Sequence, residues 1–201
     1  IAAHLASPAA ESPDLGQVEI RTTILVSGIG VCETMVTEAI DRGYQPVIQT
    51  TTLEGEAREM GRFIADMARS SRQAGYPFGR GYVILGCGGE NAVAIAGTGS
   101  FGDGGPGQEA ALAAAKILDG HEVAALFMDT DGSDGGTDAA GAICDGRTAT
   151  RAAELGLDLR QALLSHTSSR PLTRLGDLIQ TGPTGTNVND LFVVVIGKDA
   201  K

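Results

Sequence analysis

Four short stretches of this chain mix glycine with residues that can bind or transfer a chemical group. TDGSDGGTDAAG (Thr130–Gly141) places Asp131, Asp134 and Asp138 within eight residues. Mg²⁺ is commonly held by one or two carboxylates, with water and substrate phosphates completing its shell. Asp131 and Asp134 are therefore candidate metal ligands and candidate catalytic residues. Asp-Gly pairs also make turns, but three carboxylates exceed what turning alone needs. TGPTGTNVND (Thr181–Asp190) offers Thr184, Thr186 and Asn187 as hydrogen-bonding groups, with Gly182 and Gly185 to shape the backbone. An ordinary hairpin connection is its plainer explanation. In GCGGEN (Gly86–Asn91), Gly88 and Gly89 let a backbone approach a ligand closely, and Glu90 could meet a metal or a hydroxyl. A tight turn would use the same glycines. Gly97–Glu109 carries Gly104 and Gly105 just before a helical stretch, where backbone N–H groups and the helix dipole could cradle an anion. A flexible loop is the alternative.

Elements that could position these loops follow from periodicity. VEIRTTILVSG (Val18–Gly28) is apolar and β-branched and predicts a strand. Met35, Val36, Ala39 and Ile40 share one helical face, and Gly43 stops that helix. QPVIQTT (Gln45–Thr51) predicts a second strand, parallel to the first in a βαβ unit. A helix is predicted over Glu56–Gln73 and others over Gln108–Leu118, Thr148–Leu155 and Asp158–Ser165. Further strands are predicted at Tyr82–Leu85, Ala92–Ala96, Glu122–Asp129 and Leu191–Gly197. The alternation implies an α/β fold, a mostly parallel sheet flanked by helices in a single domain over residues 18–201. Residues 1–17 predict a tail or linker. Ligands of such folds bind beyond the carboxyl ends of the strands, so the four loops could share one site.

Composition narrows the function. The 201 residues carry 15 Lys+Arg against 25 Asp+Glu, a net charge of -10. This argues against general nucleic-acid or membrane-surface binding, and no apolar run reaches the ~20 residues of a membrane span. The 29 glycines are about twice the usual share of roughly 7%. Cys32, Cys87 and Cys144 are dispersed, which fits reduced thiols in the cytoplasm. Familiar signatures fail. The chain has no P-loop, no H-E-x-x-H and no G-x-S-x-G. Gly97, Gly99 and Gly102 match G-x-G-x-x-G, but no helix opens directly there, which disfavours a nicotinamide-dependent reductase. The Asp129–Ala140 loop lacks an EF-hand's Gly at position six and Glu at position twelve.

LEGEAREMG (Leu53–Gly61), GGENAV (Gly88–Val93), TDGSDGGTDAAGAICD (Thr130–Asp145) and GDLIQTGPTGTNVNDL (Gly176–Leu191) stand in the order seen in class II glycerate 2-kinases, and the chain resembles their C-terminal part, including the MOFRL domain. The resemblance covers most of residues 24–197. It implies transfer of a phosphoryl group from ATP to the 2-hydroxyl of D-glycerate with Mg²⁺, a cleft shared with a separate N-terminal domain, and a small hydroxy acid and a nucleotide as partners. Relatives also carry the label hydroxypyruvate reductase. A homo-oligomer is left open. The family's GGRNQE reads GGPGQE here (Gly104–Glu109), so Pro106 replaces an arginine, and Ser165–Ser168 reads SHTS where the family has an Asn-Asp-Ser stretch. A non-catalytic small-molecule-binding or regulatory domain on the same scaffold is the alternative reading.

Overall fold

The computed structural model describes Gly16, residues 19–95 and residues 102–199. The predicted tail apart from Gly16, the first residue of the predicted first strand, Ala96, and Gly97 and Gly99 lie outside these.

Helix α1 (Gly28–Asp41) starts where Ser27 Oγ accepts the Gly30 N–H at 3.2 Å, a side-chain N-cap. Strand β1 (Gln45–Thr50) follows, then the short β2 (Gly55–Glu56) and helix α2 (Ala57–Ala74). Gly75 ends α2 in the left-handed conformation that a side chain disfavours. Next come β3 (Tyr82–Cys87), β4 (Asn91–Ala92) and α3 (Pro106–Leu118). Pro106 occupies the first turn of α3, where its missing N–H costs nothing. Strands β5 (Val123–Asp129) and β6 (Gly141–Asp145) precede three short helices, α4 (Thr148–Glu154), α5 (Leu159–Leu164) and α6 (Ser169–Leu175). Strands β7 (Leu178–Ile179) and β8 (Asp190–Ile196) complete the order.

The main sheet runs β1-β3-β8-β5-β6-β7, and β2 pairs with β4. Strands β1, β3, β5 and β7 point one way, while β8 and β6 point the other. The majority direction agrees with the sequence expectation. The ladders do not all follow it: β1–β3 is parallel, and the other four pairings of this sheet are antiparallel. Strand β8 inserts between β3 and β5 against their direction, a long-range choice that no local pattern encodes. Strand β6 is an antiparallel partner of β5 at residues that the sequence reading left unassigned beyond Gly141.

Alternation along β3 sends Ile84 to one side and Val83 and Leu85 to the other. On the first side α3 lies against the sheet, and Ile84, Phe127, Phe192, Val194 and the α2–α3 interface form the main core. Helix α3 is buried along nearly its whole length, and its alanine run suits that crowding. A Cβ on Gly61 would lie 2.3 Å from the Ala110 carbonyl oxygen, so glycine there sets how closely α2 approaches α3. On the second side α1 packs Ala39 and Met35 over Val83 and Leu85.

The predicted first strand does not form. Residues 19–27 hold no regular element, and Ile24 and Leu25 are 78% and 89% exposed. β-branched sequence favours an extended backbone, but a strand exists only with a partner ladder. The parallel partner of β1 is β3, joined through α2.

Candidate functional site at the glycine and carboxylate loops

The chain reversal after β3 begins the site. Gly88 and Gly89 both have left-handed backbones, at φ of 81° and 66°. Added Cβ atoms would come within 2.2 Å of the Thr51 carbonyl oxygen and 1.9 Å of the Leu53 oxygen. These glycines therefore serve a tight turn packed on residues 51–53. The turn is stitched to the start of β8: Gly88 N–H donates to the Asp190 oxygen at 3.0 Å, and Asp190 N–H donates to the Gly89 oxygen at 3.3 Å. Glu90 at its tip is exposed.

Asp190 holds the next residue of that turn. Its Oδ2 accepts from the Asn91 backbone N–H at 2.7 Å and from Asn91 Nδ2 at 2.8 Å. Asn91 is 5% exposed, and its Oδ1 has no hydrogen-bond partner among the described residues. Asp190 stands directly opposite Asp129 across the β5–β8 ladder. Like charges facing each other across strands repel. Burial, first, and the neighbouring charges of Asp129 and Glu90 raise the Asp190 carboxyl above its ordinary range, against the pull of the Asn91 bonds. Burial likewise raises Asp129, and the Asp131 and Glu90 charges add to it. Sequence reasoning missed Asp129, Asp190 and Asn91. The signal present was an aspartate at the end of one strand and another at the start of a second, but only the ladder register brings the two together.

Asp131 and the Thr181–Asn189 connection meet next. Asp131 Oδ1 accepts the Ser133 N–H at 2.8 Å, an aspartate turn, and the Asp131 carbonyl accepts the Thr184 N–H at 3.1 Å. Thr184 Oγ1 donates to the Thr130 oxygen at 2.6 Å. Thr130 Oγ1 donates to the Asn189 oxygen and accepts the Val188 N–H, both at 2.8 Å. Gly132 abuts the Gly182 oxygen, which a Cβ would approach to 2.1 Å. The outer part of the connection is open. Residues 181–187 are all exposed. Gly182 and Gly185 have φ of 64° and 77° with nothing within 4 Å of an added Cβ. Thr186 N–H approaches Thr184 Oγ1 at 3.4 Å, and Asn187 Oδ1 accepts the Asn189 N–H at 2.8 Å.

Asp134 has a different fate from the one its sequence suggests. It is 2% exposed, with Oδ1 accepting the Gly107 N–H at 3.0 Å and Oδ2 accepting the Gln108 N–H at 2.9 Å. Both oxygens thus cap the first turn of α3 from outside the helix, satisfying donors that would otherwise lie buried without partners. Burial pushes the carboxyl up to about 6, against those hydrogen bonds. The metal and catalytic expectation for Asp134 gives way to this structural role. The anion-cradle expectation for Gly104 and Gly105 changes with it. A Cβ on Gly105 would meet Asp134 Cγ at 2.3 Å, and one on Gly104 would meet Ser168 Oγ at 2.1 Å. The amino end of α3 is already occupied by the protein's own carboxylate.

Among the described residues, no three carboxylate, imidazole or thiol groups converge closely enough to hold a metal ion unaided. None of the described helices is long and apolar enough to cross a membrane. All three cysteines are unpaired and buried. Burial and the neighbouring Cys87 push Cys32 up to about 12, so it stays a thiol at neutral pH.

Comparison with known proteins gives these loops a context. The MOFRL family matches residues 83–190, a little over half of the chain. The chain is 41% identical to the glycerate 2-kinase of Pyrococcus horikoshii over 88% of its own length and 40% of that protein's. It is 40% identical to a putative hydroxypyruvate reductase of Agrobacterium vitis, covering 93% of this chain and 42% of the relative. A crystal structure of the Thermotoga maritima glycerate kinase superposes with a TM-score of 0.81 at 40% identity, over 88% of this chain and 42% of that one. The chain thus spans about two fifths of the length of these relatives. With more than half its length matched in this way, the chain belongs to the MOFRL family.

Proposed function

We propose that this chain forms one wall of the active cleft of a D-glycerate 2-kinase, which transfers the γ-phosphoryl group of ATP to the 2-hydroxyl of D-glycerate. The observation that carries this reading is the meeting of the Gly88–Asn91 turn, the Asp129–Asp131 strand end and the exposed Thr181–Asn187 loop at one edge of the sheet. Phosphoryl transfer needs positioning and charge neutralisation more than covalent help. The exposed glycines Gly182 and Gly185, the hydroxyls of Thr184 and Thr186 and the amide of Asn187 suit contacts to a phosphate or carboxylate. Gly88 and Gly89 shape the turn that carries Glu90, whose charge acts on Asp129 and Asp190.

Mg²⁺ fits this donor set in its usual sparse mode, with Asp131 joined by Asp129 or Glu90 and the remaining positions left to water and phosphate oxygens. When bound, the ion would neutralise charge on the transferred phosphate. The raised carboxyls of Asp129 and Asp190 support the reading, because a cation would relieve the repulsion they now carry. Asp134 is not included in the set. The remainder of the enzyme, an N-terminal domain by the resemblance, would supply the facing wall of the cleft. The cytoplasm suits three buried, unpaired cysteines.

The test is a chimera in which residues 19–199 replace the corresponding part of the Thermotoga maritima glycerate kinase. A coupled assay with D-glycerate, ATP and Mg²⁺ should give turnover, and Asp131→Ala should reduce it at least a hundredfold. A folded chimera that binds ATP yet gives no turnover would overturn the catalytic reading and leave a binding domain. Pro106, standing where the family has arginine, makes that outcome worth measuring directly, and Pro106→Arg is the matching gain-of-activity variant.

A further inference from the structure

A second concave region lies away from the loops, between α2, α3 and α5. It is a cavity of about 440 Å³, within the size range of small-molecule sites. Four cations line it: Arg58 and Arg62 from α2, Lys116 from α3 and Arg160 from α5. The whole chain has only 15 Lys+Arg against 25 Asp+Glu, so more than a quarter of its basic residues surround one cavity on an acidic molecule.

The charges are not all balanced locally. Arg58 is held by the buried Glu109 at 2.8 Å and lies 3.5 Å from Glu56. Arg62 pairs with Glu59 at 2.7 Å. Lys116 and Arg160 form no ion pair among the described residues. The acids nearest to them in sequence are otherwise engaged: Asp119 accepts from Thr150 Oγ1 at 2.9 Å, and Asp158 caps α5 by accepting the Gln161 N–H at 2.9 Å. Neither cation therefore has a carboxylate at ion-pair distance among the described residues, although Asp119, Glu154 and Asp158 line the adjoining hollow beside them. Its remaining wall is apolar, built from Leu112, Leu159 and Leu163. An inorganic anion would use the cations and leave the leucines wet. A neutral apolar molecule would use the leucines and forgo the charge.

We propose that this cavity binds a small organic anion, with its apolar body against Leu112, Leu159 and Leu163 and its charged group between Lys116 and Arg160. None of its lining residues belongs to the four loops, although Arg58 reaches Glu109 at the end of one of them, and its occupancy does not depend on the kinase reading. Arg58 forms its inner wall and is fixed there, because its Nη2 donates to both Glu109 and the Leu163 oxygen.

The probe is 1-anilinonaphthalene-8-sulfonate, an aromatic body carrying one sulfonate, titrated into the 201-residue chain by fluorescence. N-phenyl-1-naphthylamine, similar rings without the charge, is the neutral control. The sulfonate should bind at least fivefold more tightly than the neutral probe. K116E/R160E should weaken the sulfonate at least fivefold and leave the neutral probe unchanged. Amide shifts in a ¹⁵N–¹H spectrum should centre on Leu112, Lys116, Leu159 and Leu163. Equal sulfonate binding by the double variant, or shifts centred instead on the apolar groove of Met35, Tyr44 and Val195, would overturn the proposal. Should K116E/R160E not fold, K116Q/R160Q removes the same charges without adding acids and is read in the same way.

Discussion

The amino end of α3 and the Thr181–Asn187 loop are built from similar residues and do opposite things. Both combine glycine with a short polar or acidic side chain. At α3, Gly104 and Gly105 are pressed against Ser168 and Asp134, and the backbone donors there are already taken. In the loop, Gly182 and Gly185 have open space around them, and every residue from 181 to 187 is exposed. The first region uses glycine so that two pieces of protein can touch. The second uses it to hold a left-handed backbone in solvent, where a ligand could reach it. Glycine density alone therefore does not mark a ligand site; the distance from each missing Cβ to its neighbours separates the two uses.

Substitutions can break this contrast, and their expected effects on stability fall in order. Gly105→Ala should be the most damaging, because its Cβ would sit 2.3 Å from Asp134 Cγ and 2.5 Å from backbone. Overpacking of this kind typically costs about 1–3 kcal/mol, and the contacts here are with backbone that cannot move aside cheaply. Urea unfolding measures it, and a loss below about 1 kcal/mol would show that the α3 end is not closed.

Asp134→Asn comes next. It keeps one acceptor and turns an amide toward the second N–H, leaving a buried donor unmet at about 1–3 kcal/mol. It also has a pH signature. The folded Asp134 carboxyl keeps its proton to about 6, from an ordinary value of 3.8. Between these values the folded state binds more protons than the unfolded one, so this group makes stability fall as pH rises from about 4 to 6, by about 3 kcal/mol at most. Asp129 and Asp190 are raised too and act in the same direction. Unfolding midpoints across that range should decline less steeply in Asp134→Asn than in the parent chain; parallel slopes would assign the decline to the other two.

Gly185→Ala should cost about 1 kcal/mol, from the left-handed backbone alone, since no neighbour opposes its Cβ. Its effect on turnover of the chimera should exceed its effect on stability, the reverse of Gly105→Ala. Asp131→Asn should be the mildest for the fold, within about 0.5 kcal/mol, because an amide oxygen can still accept the Ser133 N–H. Isothermal titration with MgATP should show weakened binding all the same. Unchanged MgATP binding would remove Asp131 from the proposed site.

Most elements were legible locally. Helix α2 was predicted within one residue at each end, because a strong apolar face and a Gly75 stop are both short-range signals. Strands β5 and β8 were placed almost to the residue. The Val18–Gly28 strand does not form over residues 19–27 although its residues have the right propensity, because among the described residues none pairs with it in a ladder. The carboxylates were half legible. Asp131 was singled out from a dense acidic run and does stand at the loop junction, whereas Asp134, three residues on in the same run, turned inward to cap a helix.

The sequence by itself determined the helices, the strong strands, the four glycine-bearing loops and the chain's acidic balance. The elements and loops rest on spacing within one short segment, and the acidic balance on composition alone. Tertiary structure decided which glycines are closed and which open. It inserted β8 between β3 and β5, faced Asp190 with Asp129, and gave Asp134 to the N–H groups of Gly107 and Gln108. Those outcomes depend on partners 26 to 112 residues away along the chain, and local periodicity carries no record of such distances. A carboxylate's chemistry follows from which donors surround it after folding, and its place in a motif does not fix them.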